Sequence, residues 1–339
     1  MKLVKTILFL DSSLYGGIET HIVQLVKLLK SRNLLVEVLF YQDHRNTQLY
    51  RNLEDAHCTF TFLEGKVTSL YKYLKKQETP FNLHTHGYKA GIIGRLTCKL
   101  LNSRCISTYH AGEAGTGLVF YYNYIDKLTS FLSKNFVVSD RLLAQVHNAE
   151  VLDNFVDITN PIKFGNTEKL RVGYVGRLSH EKGPDIFVEL ARRLIKNQSI
   201  IFNVFGDGPM ALELQSSKPN NIEFHGHQVN SDFWDQIDVL VISSRAEGLP
   251  MALLEAMARA KCVISFNVGA VSKVISHNTN GFICGGNCIN ELGDIIVSWS
   301  NTDIDKKKLI TQNAFNTIKK NFSGSKQLEQ LLRVYSRQT

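Results

Sequence analysis

The chain has 339 residues, 44% hydrophobic and 21% charged, ordinary globular usage that excludes a disordered or fibrous protein. At ~100–200 residues per domain, this length predicts two domains with separate cores and a cleft between them. The net charge of +8 divides evenly about Pro161, so it forms no basic tail.

In chain order, Lys5 to Asp11 reads as a short buried strand and Ser12 to Gly17 as a loop. Ile18, Ile22, Leu25, Val26 and Leu29 then recur at helical spacing. Apolar runs at Val36 to Tyr41, Asn82 to His86, Cys105 to His110 and Asn135 to Ser139 alternate with helix-like stretches, the pattern of a doubly wound parallel sheet. A second series follows at Leu170 to Val175, Ile200 to Phe205, Ile222 to His225, Val239 to Ile242 and Cys262 to Phe266. The connection Asn160 to Asn166 holds Asn, Pro and Gly and is predicted to be the hinge, giving domains 1–160 and 161–324. A last helix is predicted over Ser325 to Tyr335.

No apolar run approaches the ~20 residues needed to span a bilayer. The apolar stretch Thr6 to Leu10 is too short for a secretory signal, so a cytoplasmic protein is expected. Six scattered cysteines without a CxxC pair read as reduced thiols.

The segment Glu247-Gly-Leu-Pro-Met-Ala-Leu-Leu-Glu255 places two carboxylates around a helix start, where Pro250 suits the first turn. Glu255 lies among Met251, Leu253, Leu254 and Met257, where an unpaired charge is costly, so it needs a ligand or a partner. Paired sugar hydroxyls suit a carboxylate, which only accepts hydrogen bonds; a buried salt bridge is the alternative. Arg171 to Asp185 runs from a strand through a glycine turn into a helix opened by Pro184. Arg177 and Lys182 at that turn suit phosphate, or else form a solvated basic turn. Phe205-Gly206-Asp207-Gly208-Pro209 is a third strand-to-helix turn.

These stretches, with Tyr15-Gly-Gly-Ile-Glu-Thr-His21, Glu223-Phe-His-Gly226, Asn154-Phe-Val-Asp157 and Asn280-Gly-Phe282, resemble the retaining GT-B glycosyltransferases of family four, also called group 1. The resemblance covers nearly the whole chain. It implies a GT-B fold of two Rossmann-like domains facing a cleft, and transfer of a hexose or N-acetylhexosamine with retention. The donor would be a UDP- or GDP-sugar used without a metal, and the acceptor a glycan or lipid-linked glycan of a surface polysaccharide. Arg177 and Lys182 would neutralise the donor diphosphate, Glu255 would bind the ribose, and Glu247 would face the sugar. Gly16, Gly17, Gly206, Gly248 and Leu249 would also line the donor, and His110 would approach the sugar from the first domain. The last helix, 325–339, would pack back on the first domain. One departure is Ser272-Lys273, where the family often has Pro then Glu.

Asp303-Ile-Asp305 could be metal-binding but precedes a Lys-rich helix, whose start favours acidic residues anyway. His84 and His86 share a strand face but lack an evident third ligand. Tyr71 and Tyr73 among Lys72, Lys75 and Lys76 suit either peripheral docking on an anionic membrane or a solvated helix. A GT-B nucleotide-sugar epimerase is one rival reading. A non-catalytic nucleic-acid binder, suggested by the pI of 9.1, is another, against which no basic-aromatic module stands out. A dehydrogenase would need Gly-x-Gly-x-x-Gly after the first strand, which is missing.

Overall fold

Strand and helix patterns alternate along the chain because the interior β-strands are buried on both faces and the helices cover those faces, which produces two parallel α/β units. The computed structural model describes residues 4–13, 16–110, 117–158, 168–228, 231–286 and 288–336. Unit 1 comprises Met1–Asp157 and Gly324–Thr339, and unit 2 comprises Ile158–Ser323. The expected hinge, 160–166, lies outside the described residues.

Unit 1 begins with β1 (Lys5–Leu10), α1 (Gly17–Lys30), β2 (Val36–Phe40), α2 (Thr47–Asp55) and β3 (Thr59–Phe62). It continues through α3 (Val67–Lys75), β4 (Phe81–His86), α4 (Tyr88–Leu100), β5 (Arg104–Tyr109) and α5 (Leu118–Leu128). The strands β6 (Lys134–Val137) and β7 (Ala149–Val151), around α6 (Asp140–Leu143), complete it. The parallel sheet has the order β3-β2-β1-β4-β5-β6-β7. Successive residues of β1 serve opposite faces: Leu8 and Leu10 pack with α1, while Ile7 and Phe9 pack with Leu70 and Leu74 of α3 and Cys98 of α4.

In unit 2, β8 (Leu170–Val175), α7 (Pro184–Arg193), β9 (Ile200–Phe205), α8 (Ala211–Ser216) and β10 (Ile222–Phe224) form the first half. Next come β11 (Val239–Ile242), α9 (Met251–Ala258), β12 (Cys262–Phe266), α10 (Val271–Val274) and β13 (Phe282–Cys284). The helices α11 (Ile289–Ser300) and α12 (Ile304–Asn321) follow. Its parallel sheet has the order β10-β9-β8-β11-β12-β13. The last helix, α13 (Ser325–Tyr335), returns to unit 1, where Leu328, Leu331 and Val334 share a core with Ile22 and Val26 of α1. Tyr335 Oη lies 2.6 Å from His84 Nδ1 in the same unit.

Candidate active site

The order of strands in unit 2 reverses between β8 and β11, and a doubly wound sheet opens its ligand crevice at the carboxyl ends of the strands where that reversal occurs. The loops that leave β8 and β11 there are the two that carry Arg177 and Lys182, and Glu247. Glycine lets their backbones come together. Gly183 has φ of 62°, and a Cβ there would lie 2.2 Å from the Ser243 carbonyl oxygen at the end of β11. At Gly206, φ 144°, a Cβ would lie 1.9 Å from the Gly176 carbonyl oxygen, so the turns after β8 and β9 touch main chain to main chain.

Side chains fix the same turns. Tyr174 Oη donates to the Arg177 carbonyl at 2.9 Å, and Ser243 Oγ to the Gly183 carbonyl at 2.8 Å. Lys182 Nζ donates to Glu247 Oε2 at 2.7 Å, and Ser244 Oγ donates to the other carboxylate oxygen at 2.8 Å. Glu247 is almost buried, its side chain 7% exposed, and these two partners keep its charge compensated. Arg177 is exposed, and its guanidinium makes no hydrogen bond or ion pair among the described residues. The Gly248 carbonyl accepts from the Ala270 amide at 2.8 Å, while Leu249 is buried. Pro250 sits at the N-cap of α9, one position before the first helical residue, with extended ψ.

Glu255, the fifth residue of α9, is half-buried, and its carboxylate accepts no hydrogen bond among the described residues. Burial pushes that carboxyl up to about 7, against the pull of the Arg259 guanidinium. A carboxylate in this state gains from a ligand that supplies donors. Ser272 and Lys273, the departure from the family pattern, are both exposed on α10.

Unit 1 has its own reversal, between β1 and β4. Gly16 and Gly17 are exposed at the start of α1, and a Cβ on Gly17 would meet nothing within 4 Å. Glu19, two residues on, is buried and accepts from Ser12 Oγ, and burial raises its carboxyl. His110, just past β5, lies 2.9 Å through Nε2 from His86 Nδ1, and its ring is 4.7 Å from that of His21 on α1. Burial, then the neighbouring rings, holds His86 and His110 well below the usual imidazole range. Burial likewise holds His21 down to about 4, opposed by Asn154, and His84 to about 3.

The histidine pair read from the sequence is therefore regrouped. His84 is satisfied by Tyr335 and by Thr108 Oγ1, 2.7 Å away, whereas His86 joins His21 and His110, one ligand atom from each lying within 4.8 Å of the others. Three neutral imidazoles at this spacing could accept a divalent ion, but no carboxylate among the described residues joins the group. Sequence periodicity could not join these three, because they come from α1, the end of β4 and the residue after β5. His21 and Glu19 stand in the quoted Tyr15 to His21 stretch without an assigned role, and Tyr15 lies outside the described residues.

Asp303 caps α12, its side chain accepting from the Asp305 amide at 2.8 Å. On α3, Leu70 and Leu74 are buried and Tyr73 Oη donates to Glu37 Oε1 at 2.6 Å, so the apolar side of that lysine-rich helix faces the core. All six cysteines are free thiols, and five are buried.

Residues 158–317 match the protein family described as glycosyl transferases group 1. The chain is 25% identical over 310 residues to the UDP-Gal:alpha-D-GlcNAc-diphosphoundecaprenol alpha-1,3-galactosyltransferase of Escherichia coli, covering 79% of this chain and 78% of that one. It is 26% identical over 199 residues to the poly(ribitol-phosphate) alpha-N-acetylglucosaminyltransferase of Staphylococcus aureus, covering 56% of this chain and 40% of that one. The fold is similar to the crystal structure of Anabaena HepE in complex with UDP and glucose, with a TM-score of 0.83, 18% identity, and 98% of this chain and 99% of that one covered. With two parallel α/β units, a group 1 match across unit 2 and these relatives, the protein is a glycosyltransferase of the GT-B fold.

Proposed function

We propose that the protein is a retaining glycosyltransferase moving a hexose or N-acetylhexosamine from a UDP- or GDP-sugar to a glycan or lipid-linked acceptor in surface polysaccharide synthesis, without a metal. The observation that carries this reading is the Lys182–Glu247 pair at the β8/β11 reversal, with Arg177, whose guanidinium is unpaired among the described residues, on the same turn. Transfer breaks the bond between the anomeric carbon and the diphosphate oxygen, leaving negative charge on the diphosphate. Arg177 and Lys182 would neutralise that charge as it develops. The acceptor oxygen attacks from the same face, and its proton passes to the departing phosphate oxygen. Glu255 would accept from the ribose hydroxyls, Glu247 would face the sugar, and Gly16, Gly17, Gly206, Gly248 and Leu249 would line the donor. His110, held neutral by burial, would offer the sugar a hydrogen bond rather than a charge.

Two relatives support the acceptor class, since one is named for a lipid-diphosphate substrate and the other for a poly(ribitol-phosphate). A cytoplasmic location is part of the same proposal. The test is release of nucleoside diphosphate from a panel of UDP- and GDP-sugars, with a chelator, with and without lipid-linked acceptor, reading the anomeric configuration of the product by NMR. Acceptor-dependent release with retention is expected. Product formed without acceptor would point to an epimerase, and an inverted product or activity lost to the chelator would overturn the mechanism.

A further inference from the structure

A surface helix normally buries its apolar stripe and exposes its charges, and α5 does the opposite. Among its described side chains the buried one is Asp126, held by the fully buried Arg95. Arg95 also donates to the Asp126 carbonyl and Thr129 Oγ1 at 2.9 Å each, and to Tyr109 Oη at 2.9 Å, so one guanidinium pins the helix base. Opposite Asp126, at about 100° per residue, Phe120, Tyr121, Tyr124 and Leu128 fall on one stripe about 100° wide. They are 48–64% exposed. Of the 18 large hydrophobic side chains exposed among the described residues, eight fall between Val119 and Phe131, and Leu96 and Leu100 on neighbouring α4 add two more.

Leaving this much apolar surface in water is costly unless something covers it. The chemistry of the stripe narrows the occupant. Lys127 adjoins it and Lys99 stands beside Leu100, while the acid of α5, Asp126, is buried against Arg95. Phenol, phenyl and aliphatic groups bordered by lysines suit the boundary between acyl chains and anionic headgroups. A two-fold contact between copies would instead gather the lysines of both around one patch, with the α5 acid already taken up by Arg95. No described helix is long and apolar enough to cross a bilayer, so the helix would lie in its surface.

We propose that the α4–α5 face of unit 1 docks on an anionic lipid bilayer, with the Phe120–Leu128 stripe seated at the headgroup boundary. This surface is distinct from the lysine-rich α3, and the inference does not depend on the donor-site reading. The test is sedimentation of the full chain with phosphatidylcholine vesicles with and without phosphatidylglycerol, for wild type, for Phe120→Ser/Tyr124→Ser/Leu128→Ser, and for Lys99→Glu/Lys127→Glu. Wild type should co-sediment with the anionic vesicles. Both variants should bind them roughly tenfold or more weakly, with thermal midpoints unchanged. Failure of wild type to bind, equal binding to neutral vesicles, or a wild-type dimer that the serine variant splits in the ultracentrifuge would each overturn the proposal.

Discussion

Lys182 Nζ and Glu247 Oε2 meet at 2.7 Å although 65 residues separate them in the chain, tying the turn after β8 to the loop after β11. Lys182→Met should lower kcat/KM by about 100-fold or more, because it removes a cation aimed at the leaving diphosphate. Glu247 keeps Ser244 as a partner, so the cost in stability should be about 1–3 kcal/mol. Steady-state kinetics beside urea unfolding separates the two effects. Full activity in Lys182→Met would remove this residue from the mechanism.

Gly206→Ala tests whether the turns must touch. The added methyl would meet the Gly176 carbonyl oxygen at 1.9 Å, main chain against main chain, at a φ that L side chains rarely adopt. A loss of about 2 kcal/mol or more in urea unfolding is expected, with weaker donor binding. An unchanged midpoint would show that the two turns have room to separate.

The anchor of α5 gives a third prediction. Arg95→Met leaves Asp126 buried without its cation and should cost about 3–5 kcal/mol. Burial already pushes the Asp126 carboxyl up to about 6, with Arg95 pulling the other way. Replacing both, as Arg95→Met with Asp126→Leu, should recover most of the loss by thermal or urea unfolding. A double variant no more stable than Arg95→Met would show that the other hydrogen bonds of Arg95, not its charge pairing, hold the helix.

The buried histidines make stability depend on pH. His21 and His84 are held down to about 4 and about 3, so the folded state binds fewer protons than the unfolded chain below pH ~6.5. Their contribution is fully present above that pH and is lost as pH falls toward 4. For His21 alone the loss is about 2 kcal/mol by pH 5. Glu255 and Asp126, whose carboxyls are raised, oppose this by taking up protons in the folded state over the same range. Ring NMR titration separates the signs: neutral His21 and His84 rings at pH 5 are expected, and midpoints near 6.5 would contradict the burial.

Much of this architecture was legible in the sequence, and what escaped has a common physical cause. The strands with continuous apolar runs, such as Val239 to Ile242, were readable because both faces are buried. The unread strands, β3, β7 and β13, all lie at sheet edges, and they are three or four residues long. β3 is mostly exposed, so Thr59 to Phe62 carries no core pattern. At the candidate site, the turns around Arg177 to Lys182 and Glu247 to Glu255 were readable because glycine and proline mark them locally. The ion pair between Lys182 and Glu247, and the grouping of His21 with His86 and His110, depend on strand order. No local signal encodes that order.

Glu255 carries the most direct test of a nucleotide-sugar site. Its carboxylate is pushed up to about 7 by burial and has no hydrogen bond from the described residues, so a ligand's hydroxyl donors are what it lacks. The measurement is calorimetric titration with UDP, GDP and ADP in the presence of chelator, on wild type and on Glu255→Gln. Selective binding of UDP or GDP by wild type is predicted, weakened about tenfold or more in Glu255→Gln, whose thermal midpoint at pH 8 should be no lower. Absence of nucleotide binding in wild type, or equal affinity in the variant, would contradict the account.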